Sequence, residues 1–431
     1  MKRLRVLYLI TRSELGGAQT HLMDLVSGFR NHFDQVVVAG QSDSAIAAGE
    51  GKRDYLTSEL RQIDIPFHAV EHLVQPISPR TDLKAVAEIT ALIRRVKPDL
   101  IHAHTSKAGI LGRLAGRLTG VPSVFTAHTW SFAEGTSLKW KALGIPSERI
   151  AARWTKRIIT VSEANRRTAL EKRVGTPEKL VTVHNGISDD KGRANPALSK
   201  PVTLAMVARF SQQKDHRTLL AALAGIRTSF KLLLVGDWPT HPEVKAEAAS
   251  LGLTDRVEFS GARNDVANLL GRSQVLLLIT NWEGFPITIL EGMRAGLPVI
   301  ATDIGGTSES VAHEETGLLV PPRDITALQA ALTRLLGNAD LRVRMGRAGR
   351  ARYEREFALS AMLRRTLTVY EAALRTETKH NPGLEFQVTR LSDLIRTWGR
   401  QEHGVEAIQR ELVIEPFAYA RGSVNSRAVK H

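Results

Sequence analysis

Short apolar stretches rich in Val and Ile recur along the chain, each pair separated by enough residues for a helix. Val6–Ile10, Gln35–Ala39, Leu100–Ala103, Ser123–Ala127, Arg157–Val161 and Leu180–His184 form a first series. They are apolar on both faces, as strands of a parallel sheet covered by helices must be. Ile187–Lys200 breaks the pattern with Asp189, Asp190, Gly192, Asn195 and Pro196, a linker composition. The series restarts at Val202–Val207 and continues through Leu232–Val235, Val257–Phe259, Val275–Ile279, Val299–Ala301 and Leu318–Val320. This alternation predicts an α/β chain of two doubly wound, Rossmann-like domains facing each other across a cleft. The divisions that follow are 1–188, a linker at 189–201, and 202–360.

From Ile325 the periodicity is helical, with Leu328, Ala331, Leu332 and Leu335 on one face, and Tyr353–Arg375 continues it. His380-Asn381-Pro382-Gly383 is a stop signal. Beyond it Leu391–Leu412 has the makings of one helix, and Glu415–His431 reads as disordered. The tail, 379–431, has no functional reading.

Residues 281–306 concentrate the chemistry. The strand Val275–Thr280 ends at Asn281, and Gly284 and Pro286 break it. Pro286 suits the first turn of a helix, which Ile287, Ile289, Leu290 and Met293 make apolar and Gly296 ends. Glu283 falls at the carboxyl end of the strand, where open α/β sheets bind ligands. Glu291 lies roughly 7–8 Å further along the helix axis. Between them the free N–H groups of the helix start favour an anion. A molecule with phosphate in the middle and hydroxyls at both ends fits that spacing, and a nucleotide-sugar has this shape. By itself a pair of glutamates so spaced is weak, since two surface carboxylates often flank a helix start.

The full string is more specific. Glu283-Gly-Phe-Pro, Glu291 and Gly-Leu-Pro-Val-Ile-Ala-Thr-Asp-Ile-Gly-Gly resemble the signature of the family 4 retaining glycosyltransferases, which have the GT-B fold. The resemblance runs over about residues 4–375, densest in 200–322. It implies that Glu283 faces the donor sugar, that Glu291 holds the ribose, and that Gly284, Phe285, Pro286 and Ile287 line the donor. It also implies a last helix, 361–378, that crosses back to the first domain, and retention of anomeric configuration.

Further candidates stand around this unit. Gly16-Gly17 follow the first strand and precede a helix, without the G-x-G-x-x-G of a dinucleotide fold. In similar enzymes this loop faces the donor phosphates. His102, His104, His128 and His184 fall at strand ends, where they could close buried strands or gather a metal. His128, in Phe-Thr-Ala-His-Thr-Trp, matches the family's histidine that touches the donor sugar. His102 and His104 share one face of their strand. Ala208-Arg209-Phe210-Ser211-Gln212-Gln213-Lys214 resembles the Arg and Lys pair that grips the diphosphate, with Ala208 and Asp215 standing where glycine is usual. Asp215 is expected to weaken the local positive field. No Asp-x-Asp occurs, so the chain lacks the pair that commonly holds a divalent cation, and a metal-independent reaction without cofactors is expected.

Composition narrows the setting. A length of 431 residues exceeds one core. There is no cysteine, hence no disulfide or thiolate chemistry, which fits a cytoplasmic location. No run of ~18 apolar residues offers a membrane span. The net charge of +15 points to an anionic partner. Leu138–Arg157 mixes Trp140 and Trp154 with Lys139, Lys141, Arg149 and Arg153, a composition suited to anionic membrane, although Pro146 is expected to interrupt any single helix. No nucleic-acid motif accompanies it. The resemblance, closest in general look to bacterial exopolysaccharide and capsule glycosyltransferases, implies transfer of a sugar from a nucleotide-sugar to a glycan or lipid-linked acceptor in cell-surface polysaccharide synthesis, at the inner face of the plasma membrane. A nucleotide-sugar epimerase of the same fold and a non-catalytic nucleotide-sugar-binding protein are the alternatives.

Overall fold

In this computed structural model the described residues are 3–40, 55–133, 135–136, 138–190, 192–198, 201–237, 240–378 and 384–400. Their strands form two wholly parallel sheets. The first contains β1 (Arg5–Ile10), β2 (Asp34–Gly40), β3 (Phe67–Val70), β4 (Leu100–His104), β5 (Ser123–Ala127), β6 (Arg157–Thr160) and β7 (Leu180–Thr182), in the order β3-β2-β1-β4-β5-β6-β7. The second contains β8 (Val202–Val207), β9 (Phe230–Val235), β10 (Val257–Gly261), β11 (Val275–Leu278), β12 (Val299–Thr302) and β13 (Gly317–Val320), in the order β10-β9-β8-β11-β12-β13. Strand order reverses between β1 and β4 and again between β8 and β11. Such reversals open crevices at the carboxyl ends of the strands, where ligands bind.

The strand side chains explain why both faces are covered. Along β1, Val6, Tyr8 and Ile10 pack on Leu22, Leu25 and Phe29 of the helix Gly17–Phe29, while Leu7 and Leu9 face Ile89, Ile93 and Leu111 on the other side. The second sheet repeats the scheme, Leu204 and Met206 against Leu219 and Leu335, Leu276 and Leu278 against Leu290 and Met293. β3 was not legible from the apolar pattern. Its sequence, Phe-His-Ala-Val, is an edge strand in which only Val70 is buried.

The chain crosses between the sheets twice, and the crossings lie side by side. Ile187 pairs with Ala358 as a parallel bridge, and the Ile187 amide donates to the Phe357 carbonyl at 3.1 Å. The helical run expected through Tyr353–Arg375 is therefore broken. A π-helical turn, Tyr353–Phe357, ends at the extended Ala358, and a new helix, Leu359–Arg375, starts there. That helix returns to the first sheet, where Leu363, Leu367 and Tyr370 join the core. The linker is tied down by ion pairs from Asp189 to Arg350 (2.6 Å) and from Asp190 to Arg294 (2.7 Å).

Two helix expectations need correction. Leu138–Trp154 is one helix with Pro146 inside it. Proline removes only one helical hydrogen bond, and tertiary packing spans the gap. Arg113 and Glu148, both fully buried, form an ion pair at 2.6 Å that fastens the helix beyond Pro146 to the neighbouring helix Ser106–Thr119. In the tail, the helix starts earlier than Leu391, at Glu385, and runs to Arg400, with Leu391 and Trp398 buried against the first domain. Trp398 stacks on Phe29 with ring centres 6.3 Å apart. The rest of the expected helix, to Leu412, and the segment Glu415–His431 lie outside the described residues.

Candidate active site

β11 delivers its carboxyl end into the cleft, and the loop after β8 is laid across it. Lys214 forms an antiparallel bridge with Thr280, and the Asp215 amide donates to the Ile279 carbonyl at 3.0 Å. The backbone thereby brings the Lys214 ammonium onto the Glu283 carboxylate, and the two side chains form an ion pair. The Thr280 hydroxyl donates to the same carboxylate oxygen at 3.1 Å. Both partners are largely shielded, with side-chain exposures of 13% and 10%, so the pair is less screened than a surface one. Asp215 does not point at this site. Its carboxylate caps the helix His216–Ala224, accepting from the Thr218 amide at 3.1 Å. Arg209 lies exposed in the same loop.

The turn from Glu283 to Ile287 is closely confined. A Cβ on Gly284 would stand 1.9 Å from the His128 carbonyl oxygen, so only glycine allows the two domains to approach here. Gly305, at φ +49°, is pressed from the other side, where a Cβ would meet the Glu283 carbonyl oxygen at 2.4 Å. Phe285 turns its ring inward. It is buried, stacks on His184 at 4.7 Å, and its carbonyl accepts from Asn185 Nδ2 at 2.9 Å. Pro286 then leads into the helix Ile287–Ala295. Glu291 is partly accessible, yet burial of its carboxyl pushes it above the usual range, with Arg294 opposing and Asp190 adding to the rise. Across the cleft, Asp24 is raised to about 8 by burial, with Arg294 opposing and Glu291 adding.

The first domain supplies the opposite wall. Gly16 precedes the helix Gly17–Phe29, and a Cβ on Gly17 would stand 4.0 Å from Ile287 Cδ1. Two helix starts therefore face each other, and their free N–H groups and dipoles favour an anion between them. Behind them sits a group of imidazoles. His104 Nδ1 and His128 Nε2 lie 3.2 Å apart, and the His21 ring meets that of His128 edge-on at 4.8 Å. Burial lowers all three, each further lowered by neighbouring histidines in the cases of His104 and His128; His21 falls to about 4. They are neutral at pH 7. One nitrogen from each of His21, His104 and His128 lies within 4.8 Å of the others, a spacing that a metal ion could also use. His102 lies beside His104, ring centres 4.2 Å apart, but its two nitrogens are taken by Tyr370 (2.6 Å) and Thr126 (2.7 Å).

A third contact joins the domains. Glu309, in the short helix Thr307–Ser310, accepts from the Glu163 and Ala164 amides, both at 2.7 Å, at the start of the helix Glu163–Glu171. It also accepts from His184 Nε2 at 2.9 Å. Burial works to raise the Glu309 carboxyl, but the His184 and amide hydrogen bonds outweigh it and hold it below the usual range.

The cleft thus brings together Gly16, Gly17, His128, Lys214, Glu283, Gly284, Pro286, Ile287 and Glu291. Phe285 belongs to it through its backbone only. His21, Thr280 and Glu309 are not among the residues the sequence marks, and His104 is marked there only for closing a strand or gathering a metal. His21 stands one helical turn beyond Gly17, a spacing that hinted at a shared face, but nothing in the chain told which strand end that face would meet.

Residues 15–191 match the family profile described as Glycosyltransferase Family 4, and residues 188–352 match that described as Glycosyl transferases group 1. Together the two matches span residues 15–352, and the chain is a family 4-like glycosyltransferase. Among curated relatives, it is 29% identical over 358 residues to the UDP-Gal:alpha-D-GlcNAc-diphosphoundecaprenol alpha-1,3-galactosyltransferase of Escherichia coli, covering 77% of this chain and 91% of the relative. With the capsular polysaccharide biosynthesis glycosyltransferase CapM of Staphylococcus aureus it shares 24% over 352 residues, 77% of this chain and 90% of that one. Among solved structures, Anabaena Alr3699/HepE in complex with UDP and glucose superposes with a TM-score of 0.73 at 23% identity, over 86% of this chain and all of that one. A glycosyltransferase from Rickettsia africae gives 0.72 at 22%, over 87% and 99%. The fold of this family 4 enzyme is GT-B, and it is a retaining glycosyltransferase using a nucleotide-sugar. The epimerase alternative finds no support among these relatives. Among the described residues no helix is long and apolar enough to cross a membrane.

Proposed function

We propose that this glycosyltransferase moves a hexosyl or N-acetylhexosaminyl unit onto a lipid-linked glycan, during cell-surface polysaccharide assembly at the inner face of the plasma membrane. The observation that carries the reading is the Lys214–Glu283 pair at the mouth of a cleft whose opposite wall is neutral His128. The lipid-linked acceptor is supported by the E. coli relative, whose name specifies a diphosphoundecaprenol substrate. Residues 1–188 form the acceptor side and 202–360 the donor side, joined by the 189–201 linker and closed by the return helix, which spans Leu359–Arg375 rather than the expected 361–378.

The roles follow from charge and geometry. The diphosphate lies between the two helix starts, near Gly16 and Gly17 on one side and Gly284, Pro286 and Ile287 on the other. Glu291 accepts hydrogen bonds from the ribose hydroxyls. As the bond from the anomeric carbon to phosphate breaks, negative charge grows on the diphosphate, and Arg209 and Lys214 stabilise it. The acceptor oxygen attacks from the same face, and its proton passes to the departing phosphate oxygen. His128 and Glu283 hold the sugar. Since cations already cover the leaving group, the reaction needs no metal.

The test is incubation of the full chain with a panel of nucleotide-sugars, with and without a lipid-diphosphate-linked acceptor, in EDTA. Transfer to the acceptor supports the reading. Isomerised donor would identify an epimerase, and binding without product a non-catalytic protein. Activity lost in EDTA and restored by magnesium or manganese would overturn the metal-independent step.

A further inference from the structure

The three imidazoles behind the cleft stand on or beside regular elements of the first domain. His21 lies on the helix Gly17–Phe29, and His104 ends β4. The register of β4 with β5 sets His104 opposite Thr126, so His128, two residues on, carries its side chain to the same face. Strand order reverses between β1 and β4, so the group stands at the crevice where such sheets bind ligands.

One nitrogen from each ring lies within 4.8 Å of the other two. His104 Nδ1 and His128 Nε2 are 3.2 Å apart. Two imidazoles on a tetrahedral zinc, at ~2.0–2.1 Å per bond, hold their nitrogens about 3.3 Å apart, so this pair already has the spacing. A hydrogen-bonded ladder is the simpler account of three close imidazoles, but it does not satisfy them. His21 Nδ1 and His104 Nε2 are buried with no hydrogen-bond partner among the described residues, a costly state for a polar atom. Asn185 partly offsets the lowering of His21 by burial, yet closes no hydrogen bond to Nδ1. His102 is no ligand, since Tyr370 and Thr126 take both its nitrogens.

The surroundings fit an accessible metal rather than a sealed one. His21 is 3% exposed and His104 0%, whereas His128 is partly accessible and opens the group toward the cleft. Three protein nitrogens with one open position is the form of accessible zinc sites; closed structural sites use four. The rings are neutral at pH 7, so protons do not compete for their lone pairs. An all-imidazole set suits zinc and excludes magnesium or calcium, which take oxygen ligands.

We propose that His21, His104 and His128 form a zinc site, and that zinc held there inhibits sugar transfer. On binding, the proton between His104 and His128 moves to the outer nitrogen of the ring that carries it, which leaves both rings neutral and both inner lone pairs on the metal. His128 is then fixed by the ion and no longer holds the sugar. The site itself stands on the geometry; its inhibitory effect rests on the contact of His128 with the donor sugar proposed above.

The experiment titrates the untagged, metal-free full chain with zinc by calorimetry and with cobalt(II) by visible absorption, which reports tetrahedral coordination. Wild type should bind one equivalent, and transfer should fall along the same zinc titration while magnesium leaves it unchanged. Loss of a supporting partner alone costs 10–100-fold in metal affinity. His21→Asn and His104→Asn, each lacking a ligand, should therefore weaken zinc binding roughly 100-fold or more, with unchanged circular dichroism. His72→Asn removes the imidazole of the accessible group Glu71, His72 and Glu88, the other spacing that could take a metal, and should bind zinc as wild type does. Binding that survives both cleft variants, or that vanishes with His72→Asn, would overturn the site. A weak octahedral cobalt spectrum in wild type would overturn it without any variant. Zinc binding with undiminished transfer would overturn the inhibition. Transfer without zinc binding would remove the site and leave the transferase reading standing, and zinc binding by a chain that transfers no sugar would do the reverse.

Discussion

The carbonyl oxygen of His128 occupies the space that a Cβ on Gly284 would need, at 1.9 Å. The loops that follow β11 and β5 therefore touch through backbone, and the cleft is set by that contact. Gly284→Ala should push the His128 loop away from Glu283. A displacement of about 1 Å in a catalytic arrangement can cost 10²-fold, so kcat should fall by about that factor. Folding should be affected less, by ~1–3 kcal/mol, as for other overpacked sites. Steady-state kinetics on the folded variant checks this, and near-normal kcat would mean the contact opens freely.

Lys214 forms an ion pair with Glu283. In the proposed reaction negative charge grows on the diphosphate, and the ammonium would stabilise the transition state more than the bound donor, raising turnover. Lys214→Ala should lower kcat by more than it raises donor KM, with ~10²–10³ as the expected order. Arg209→Lys should also be damaging, since an ammonium cannot reproduce a two-pronged guanidinium contact. A Lys214→Ala enzyme with near-normal kcat would remove its leaving-group role.

How far these residues could be read from the chain depends on the range of the interaction. The central strands were legible because Val and Ile on both faces need a covered parallel sheet. β3 was not, because an edge strand carries no such run. The order Glu283, Gly284, Pro286, Glu291 placed one wall of the cleft, for the loop and helix are local. Phe285 lies in the same string, but its ring is drawn inward by His184, about a hundred residues away in sequence, a pairing that local pattern does not encode. Pro146 reads as a break, and only the buried Arg113–Glu148 pair shows why the helix survives. His21 and Glu309 were missed for the same reason, since each acts on a residue of a distant element.

Glu291 is raised by burial and lies beside Arg294 and Asp190. A ribose that donates two hydroxyl protons would compensate that carboxylate. Glu291→Ala should weaken nucleoside diphosphate binding by ten- to a hundredfold, since hydrogen bonds to charged groups contribute ~1.5–3 kcal/mol. Calorimetric titration of the folded variant with UDP tests this, and an unchanged affinity would count against the assignment.

The neutral imidazoles make stability depend on pH. His21 is lowered from the usual 6.5 to about 4, and His104 and His128 are also well below it. Between those values the unfolded chain binds more protons than the folded one. Their contribution is therefore complete above about pH 6.5 and is withdrawn as pH falls below it, by roughly 1.4 kcal/mol per pH unit per histidine. Tm should drop between pH 7 and pH 5, and His21→Asn should flatten that slope. A wild-type slope that survives His21→Asn unchanged would place the titration elsewhere.

Glu309 joins the two domains through a charged contact. Its carboxylate caps the helix Glu163–Glu171 from the other domain and takes a hydrogen bond from His184. The negative charge also meets the positive end of the helix dipole. Glu309→Gln keeps the shape and one acceptor oxygen but loses the charge, at a cost of ~1.5–3 kcal/mol from charge-assisted hydrogen bonds. If closure depends on that contact, the closed form becomes less populated and donor KM rises in proportion to the lost fraction. The same logic gives the pH behaviour. Because the folded carboxyl is held below its usual value, the contact is intact above the unfolded carboxyl range, about pH 4.3, and fails as pH falls through the lowered value. Small-angle scattering should show a larger radius of gyration for Glu309→Gln than for wild type at pH 7. Equal radii together with equal KM would show that the domains stay closed without this carboxylate.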